Sequence, residues 1–346
     1  MSAIESLGLI TVPGLAFTLA YAADRSRALK ALVYVGLAVA DLTGLAVGAA
    51  WTLVRIGGPS LAASPYAGAS ATGLDFAAVV EGIAGVAPLI LAISMVGVVL
   101  FFRPSRRVLA RVMPIDPDSL PHLVALHFAL ALVIVAVLTA VLASVISGDE
   151  AALGRLNETA KEAGLWGLWA QNIGLFLFAL LGIGVFVRRD VPTALHRLGV
   201  TGWVSVRWWL AVPALGLATG WLVDHWWRAA DPSSLAGVNR IADALFSSYI
   251  EAGILGVLAV ASAGIGEEAV FRGAAQPRFG LVVTALLFAA IHTQYTVSPA
   301  LVQVFVLGVL LGLARLRANT TTAMAAHATY NGILVLLAIY APDLSQ

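Results

Sequence analysis

Gly264-Ile265-Gly266-Glu267-Glu268-Ala269-Val270-Phe271-Arg272-Gly273 sets two adjacent carboxylates and an arginine at the end of a stretch, 252–266, that carries no charge. Ionisable side chains inside a membrane span are costly, so they face a cavity or a partner and mark function. Helical spacing sorts the three. Glu268 and Arg272 are four residues apart, lie on one face and can form an ion pair. Glu267 points about 100° away and finds no partner within its own helix. The pattern reads as a structural clamp beside a working carboxylate. The competing reading is a charged helix end at the membrane surface.

The surroundings settle which solvent this helix meets. Of 346 residues, 60% are hydrophobic and 11% charged, with a mean hydropathy of +0.93. A soluble domain carries about a quarter charged residues. The chain is therefore expected to be all-α, a polytopic bundle of about nine to ten transmembrane helices. Apolar runs cover roughly 3–23, 29–54, 76–102, 120–147, 165–187, 206–227, 244–276, 280–297, 299–315 and 320–341. A span needs about 20 such residues, which makes 280–297 and 299–315 short. The first run lacks the basic start of a secretory signal and is read as a retained helix. The segment 148–164 is polar and reads as an external loop without chemistry.

Charge gives the orientation. Fourteen lysines and arginines lie in one alternate set of connections: 25, 27, 30, 103, 106, 107, 111, 188, 189, 197, 207, 278, 315 and 317. Only Arg55, Arg155, Lys161, Arg228 and Arg240 lie in the other. The first set is expected in the cytoplasm, with both termini outside. Trp166, Trp169, Trp208, Trp209, Trp226 and Trp227 fall at helix ends, where aromatic belts lie. A net charge of +1 held in short loops leaves no nucleic-acid partner to expect; the partners are the lipid bilayer and a peptide or membrane-protein substrate. Cysteine is absent, which excludes disulfides, thiolate metal sites and a cysteine nucleophile. Lysine occurs only at positions 30 and 161 beside abundant alanine, glycine and arginine, a bacterial high-GC bias that implies a cytoplasmic membrane.

A census of polar residues within the spans narrows the site. Asp41 stands mid-helix and calls for a neighbouring helix as partner. Glu81 and Asp224 fall near helix ends, as do His122, His196 and His225, and His127 reads as packing. His292 follows Phe288 by four residues and His327 precedes Asn331 by four, so each pair shares a helical face. Counting about 1.5 Å per residue from the expected cytoplasmic ends puts Glu267, His292 and Asn331 roughly 16 Å deep and His327 roughly 10 Å. A carboxylate, two imidazoles and an amide thus come to one level from three helices.

These groups suffice for hydrolysis. A carboxylate beside an imidazole can hold a water and take its proton. A second imidazole and an amide can donate to an oxyanion. No serine or threonine stands in the motifs as a nucleophile, which favours direct attack by water. Equally, Glu267, His292 and His327 could hold zinc with one position open, although the helical pair His-Glu-x-x-His is missing. Zinc and a metal-free water both remain open.

The order Glu-Glu-x-x-x-Arg, Phe-x-x-x-His, His-x-x-x-Asn on the last helices resembles the CPBP family of intramembrane proteases. That family takes in type II CAAX prenyl endopeptidases and bacteriocin-processing or self-immunity (Abi) proteins. All three motifs match, at Glu267, Glu268 and Arg272, at Phe288 and His292, and at His327 and Asn331. The resemblance implies an intramembrane endopeptidase. Glu267 and His292 would activate water, His327 and Asn331 would stabilise the oxyanion, and Glu268 with Arg272 would brace the helix. Both a metalloprotease and a metal-free glutamate mechanism go with the family. The chain is accordingly divided into N-terminal helices of unassigned role, 1–243, and a catalytic core, 244–341. The alternative from another class is a transporter or a non-catalytic scaffold whose buried Glu and His bind protons or a ligand.

Overall fold

Long runs of Leu, Val and Ala leave the backbone no water to bond with, so each run closes its hydrogen bonds within a helix. The computed structural model describes residues 3–57 and 76–341. Its helices are α1 (Ala3–Ala22), α2 (Arg27–Gly57), α3 (Phe76–Leu100), α4 (Arg103–Leu109), α5 (Leu120–Ser147), α6 (Glu150–Gly182) and α7 (Val191–Leu198). There follow α8 (Val206–Ala230), α9 (Pro232–Glu251), α10 (Ile254–Ala261) and α11 (Ala263–Glu268). A π-helical segment, Ala269–Ala275, leads into α12 (Gln276–Ala290), then α13 (Pro299–Arg317) and α14 (Thr320–Tyr340). Among the described residues, extended structure is limited to the bridge Val185–Arg189.

Eight helices among the described residues are long and apolar enough to cross a bilayer. Their outer faces carry exposed Val35, Leu42, Leu89, Met95, Leu177, Leu210, Leu222 and Leu286. An apolar exterior of this extent fits lipid and not water. The protein is an integral, multi-pass membrane protein.

One of the eight, Ile254–Ala290, is 37 residues long, more than one crossing requires. It folds back on itself. A straight helix would hold Glu267 and His292 about 37 Å apart, yet their side chains approach to 4.0 Å. The reversal falls at Gly280, with φ 77° and ψ 176°. That region of backbone space is essentially closed to residues with a Cβ. The runs read as 244–276 and 280–297 thus contribute the two legs of one hairpin, within Ile254–Ala290.

The structure departs from the sequence reading at three places. The polar segment 148–164 is helical: Asp149 caps it, its side chain accepting from the Ala152 amide at 3.0 Å, and it joins the membrane half of α6 across Gly164 (φ 58°). Residues 244–251 do not open the span that follows. They end the separate helix α9, which stops before Gly253 (φ 58°) and packs on the first half of α6 through Ser247 to Asn157 at 3.1 Å. Trp227 is no belt residue; it is buried against Leu235 and Val238 of α9.

Two halves of the bundle meet around the hairpin. On one side α2 lies along α3, α3 along α5, and α1 against α6. On the other, α8 is held by α13 and α14, and α10 and α11 lie against α14. The membrane half of α6 bridges them by packing on α11 and the π segment. Asp41 finds the partner expected of it: His127 of α5, at 3.1 Å. His127 is therefore half of a buried polar pair as well as a packing residue.

Candidate functional site

The two glutamates owe their placement to the glycines before them. A Cβ on Gly264 would stand 2.7 Å from the Met324 carbonyl oxygen, and one on Gly266 would stand 2.5 Å from the Asn172 carbonyl oxygen. Without side chains there, α11 lies directly against α14 on one flank and α6 on the other. Asn172 is buried, and its amide donates to Ser262 Oγ and to the Leu168 carbonyl, each at 3.0 Å.

Glu268 is sealed inside. Its carboxylate accepts from Arg272 Nε at 2.9 Å and lies 3.0 Å from His327 Nδ1. Glu268 and Arg272 have no exposed side-chain surface, and His327 is 3% exposed. An arginine beside it keeps the carboxylate ionised, so His327 Nδ1 is the donor and Glu268 the acceptor. The clamp read from the i, i+4 spacing is present, and it reaches one element further than expected, onto α14.

Glu267 and His292 form a second, more open pair. Their side chains are 15% and 17% exposed, with Oε2 and Nε2 4.0 Å apart. That is beyond direct hydrogen bonding. His292 Nδ1 lies 2.7 Å from the Phe288 carbonyl oxygen, which can only accept. Nδ1 therefore carries the hydrogen, and in the neutral ring Nε2 presents a lone pair towards Glu267. Glu267 Oε2 has no hydrogen-bond partner within the protein. Glu267, His292 and His327 lie within electrostatic reach of one another.

Phe288 is the ring on which these groups are assembled. It is wholly buried, with the Arg272 guanidinium 4.7 Å above its centroid and the rings of His292 and His327 at 4.7 and 5.8 Å. A cation over an aromatic face gains from the ring quadrupole, and here that face takes the guanidinium whose Nη1 and Nη2 have no hydrogen-bond partner. Tyr295 stacks parallel to His292 at 6.3 Å. Asn331, one turn beyond His327, reaches the Val260 carbonyl at 3.5 Å. The start of α14 is fixed by Asn319, whose side chain caps the Thr322 amide at 2.7 Å, and by Thr320, whose hydroxyl donates to the Leu198 carbonyl at 2.5 Å.

A metal fits this arrangement poorly. Among the described residues no three His, Cys, Asp or Glu side chains are grouped to hold an ion. Zinc ligands sit about 2.0–2.2 Å from the ion, so tetrahedral donors are about 3.4 Å apart. Glu267 and His292 are wider than this.

Sequence reasoning named Glu267, Glu268, Arg272, His292, His327 and Asn331 and missed Asn172, Tyr295 and Asn319. A lone asparagine within an apolar span was signal enough for Asn172. Asn319 stood in view as an Asn-Thr-Thr-Thr cap. Arg278, counted among the loop charges, is instead buried, donating to the carbonyls of Ala274 at 2.9 Å and Gly182 at 2.8 Å and to the Tyr21 hydroxyl at 2.8 Å.

Residues 250–333 match a family model described as type II CAAX prenyl endopeptidase Rce1-like. That stretch holds every motif residue of the two pairs and the Phe288 ring. No curated protein and no solved structure matches the chain.

Proposed function

We propose that this chain, a member of the CPBP family of CAAX-type proteases by its residues 250–333, hydrolyses peptide bonds of membrane-associated substrates with a water held between Glu267 and His292. The observation that carries the reading is the 4.0 Å gap between Glu267 Oε2 and His292 Nε2. Each atom is an acceptor, the first because it is a carboxylate oxygen, the second because Nδ1 holds the ring hydrogen against the Phe288 carbonyl. A water between two acceptors gives one hydrogen to each and turns its lone pair outward, oriented for attack.

As the water oxygen bonds to the scissile carbonyl carbon, Glu267 takes one of its protons, the general base step. The C–N bond then breaks and the amine leaves with that proton. The oxyanion formed in between needs donors. His327 supplies one from Nε2 in its imidazolium form, which the charge count of the pocket favours. Glu267, Glu268 and Arg272 together leave one negative charge in a low-dielectric interior, and a proton on His327 balances it. The Asn331 amide is the second donor, exchanging its long contact with Val260 for the substrate. Glu268 is occupied on both oxygens by Arg272 and His327; it orients, and the base is its neighbour.

We assign the reacting groups to 244–341 and a positioning role within 1–243 to α6, through Asn172. Comparing newly formed peptide termini in membranes from cells making the parent protein and cells making Glu267→Gln tests the proposal. Termini confined to the parent identify substrates; identical sets of termini contradict the reading.

A further inference from the structure

Where Gly280 reverses the hairpin, cationic side chains gather from four elements. Arg189 comes from the loop before α7, Arg197 from α7, Arg278 from α12 and Arg315 from the end of α13. Among the described residues none of the four forms an ion pair. They are tethered by backbone instead. Arg189 donates to the Ile183 carbonyl, Arg197 to the Gly273 carbonyl at 3.4 Å, and Arg278 to those of Ala274 and Gly182. The Arg315 guanidinium lies on Gly199, where a Cβ would stand 2.9 Å from Cζ. The Nε atoms of Arg278 and Arg315 are buried without a hydrogen-bond partner. Arg197 registers the crowding: burial lowers its pKa, and the charges of Arg278, Arg189 and Arg315 lower it further.

We propose that this corner binds the phosphate of an anionic membrane lipid. Guanidiniums held by neutral carbonyls keep a full positive charge for a ligand, and basic pockets between helices at the cytoplasmic side recognise lipid headgroups. Two neighbours argue for a lipid over a free phosphate. An apolar cavity of about 60 Å³ adjoins Arg278, lined by Phe17, Phe128, Phe178 and Phe279, and suits methylene groups. The residues flanking α7 include Phe186 and Trp203, 81% and 54% exposed, as aromatic side chains are at the headgroup level. Arg197 also holds the carbonyl of Gly273, next to the Arg272 that braces Glu268, so a bound lipid stiffens the leg that carries both glutamates. The site itself stands whether or not the chain is a protease.

The test is titration of delipidated protein in neutral detergent with phosphatidylglycerol, phosphatidylcholine or inorganic phosphate, reading bound lipid by native mass spectrometry and the melting temperature. Phosphatidylglycerol is expected to bind at least about tenfold more tightly than phosphatidylcholine and to raise the melting temperature. Each guanidinium removed, as in Arg197→Gln and Arg315→Gln, is expected to cost roughly fivefold. Arg197→Lys is expected to keep most of the affinity, and Arg317→Gln, on the exposed end of α13, to change it little. Equal binding of the two lipids overturns the proposal without recourse to any variant. So does inorganic phosphate that displaces phosphatidylglycerol at matched concentration, which would mark a plain anion site.

Discussion

Glu268 and His327, 59 residues apart in the chain, meet at 3.0 Å in the sealed interior of the bundle, with Arg272 on the other carboxylate oxygen. This contact divides the labour between two adjacent glutamates. Glu268 has spent its acceptors on its own protein. Glu267 faces His292 across 4.0 Å and keeps an oxygen free.

The first prediction concerns the clamp. Arg272→Ala strands a fully buried Glu268 and also removes the cation from Phe288. Breaking a buried pair in this way costs about 3–5 kcal/mol. Thermal melts of the detergent-solubilised protein check it, and a variant that melts with the parent would show that Glu268 does not need its arginine.

Backbone geometry gives the second. Gly280 sits at φ 77°, ψ 176°, where a non-glycine residue costs about 1–3 kcal/mol. Gly280→Ala is therefore expected to destabilise by that amount, whereas Gly36→Ala, with open space around its would-be Cβ, is not. Denaturation of the two variants side by side makes the comparison.

The oxyanion assignment yields a third. Removing one preorganised donor typically lowers kcat by about 10²–10³. Asn331→Ala is expected to lose activity on that scale while the melting temperature stays close to the parent's, because the contact it gives up is long. A large fall in stability with little change in kcat would make Asn331 structural.

Metal content provides the fourth. The donor spacing of Glu267 and His292, and the lack among the described residues of three His, Cys, Asp or Glu side chains grouped to hold an ion, lead us to expect full activity in protein with far less than one zinc per chain. Elemental analysis beside a chelation series measures this. One tightly held zinc lost in step with turnover would contradict it.

Much of this was legible in the sequence. Hydropathy alone gave an all-α membrane bundle, because lipid leaves an apolar chain few other ways to satisfy its backbone. The i, i+4 rule found the Glu268–Arg272 pair, since helical geometry is local. What escaped depends on contacts between distant segments. No local pattern tells that Glu268 reaches His327, that Phe288 lies under Arg272, or that Asn172 of α6 abuts Gly266. The helix 150–163 escaped for a different reason. It is polar, and polarity was read as loop although its Asp149 cap was present in the sequence. Gly280 shows the limit most plainly: the sequence separates the runs on either side of it, but that they fold back to bring Glu267 and His292 to 4.0 Å is set by one backbone conformation.

We propose that Glu267 is the base and Glu268 its brace. Single-turnover cleavage of a substrate identified from the membrane comparison, by the parent and by Glu267→Gln with melting curves alongside, tests it most directly. We expect Glu267→Gln to melt with the parent and to cleave about 10²–10⁴ times more slowly. Cleavage at the parent's rate by a folded Glu267→Gln protein would remove Glu267 from the chemistry.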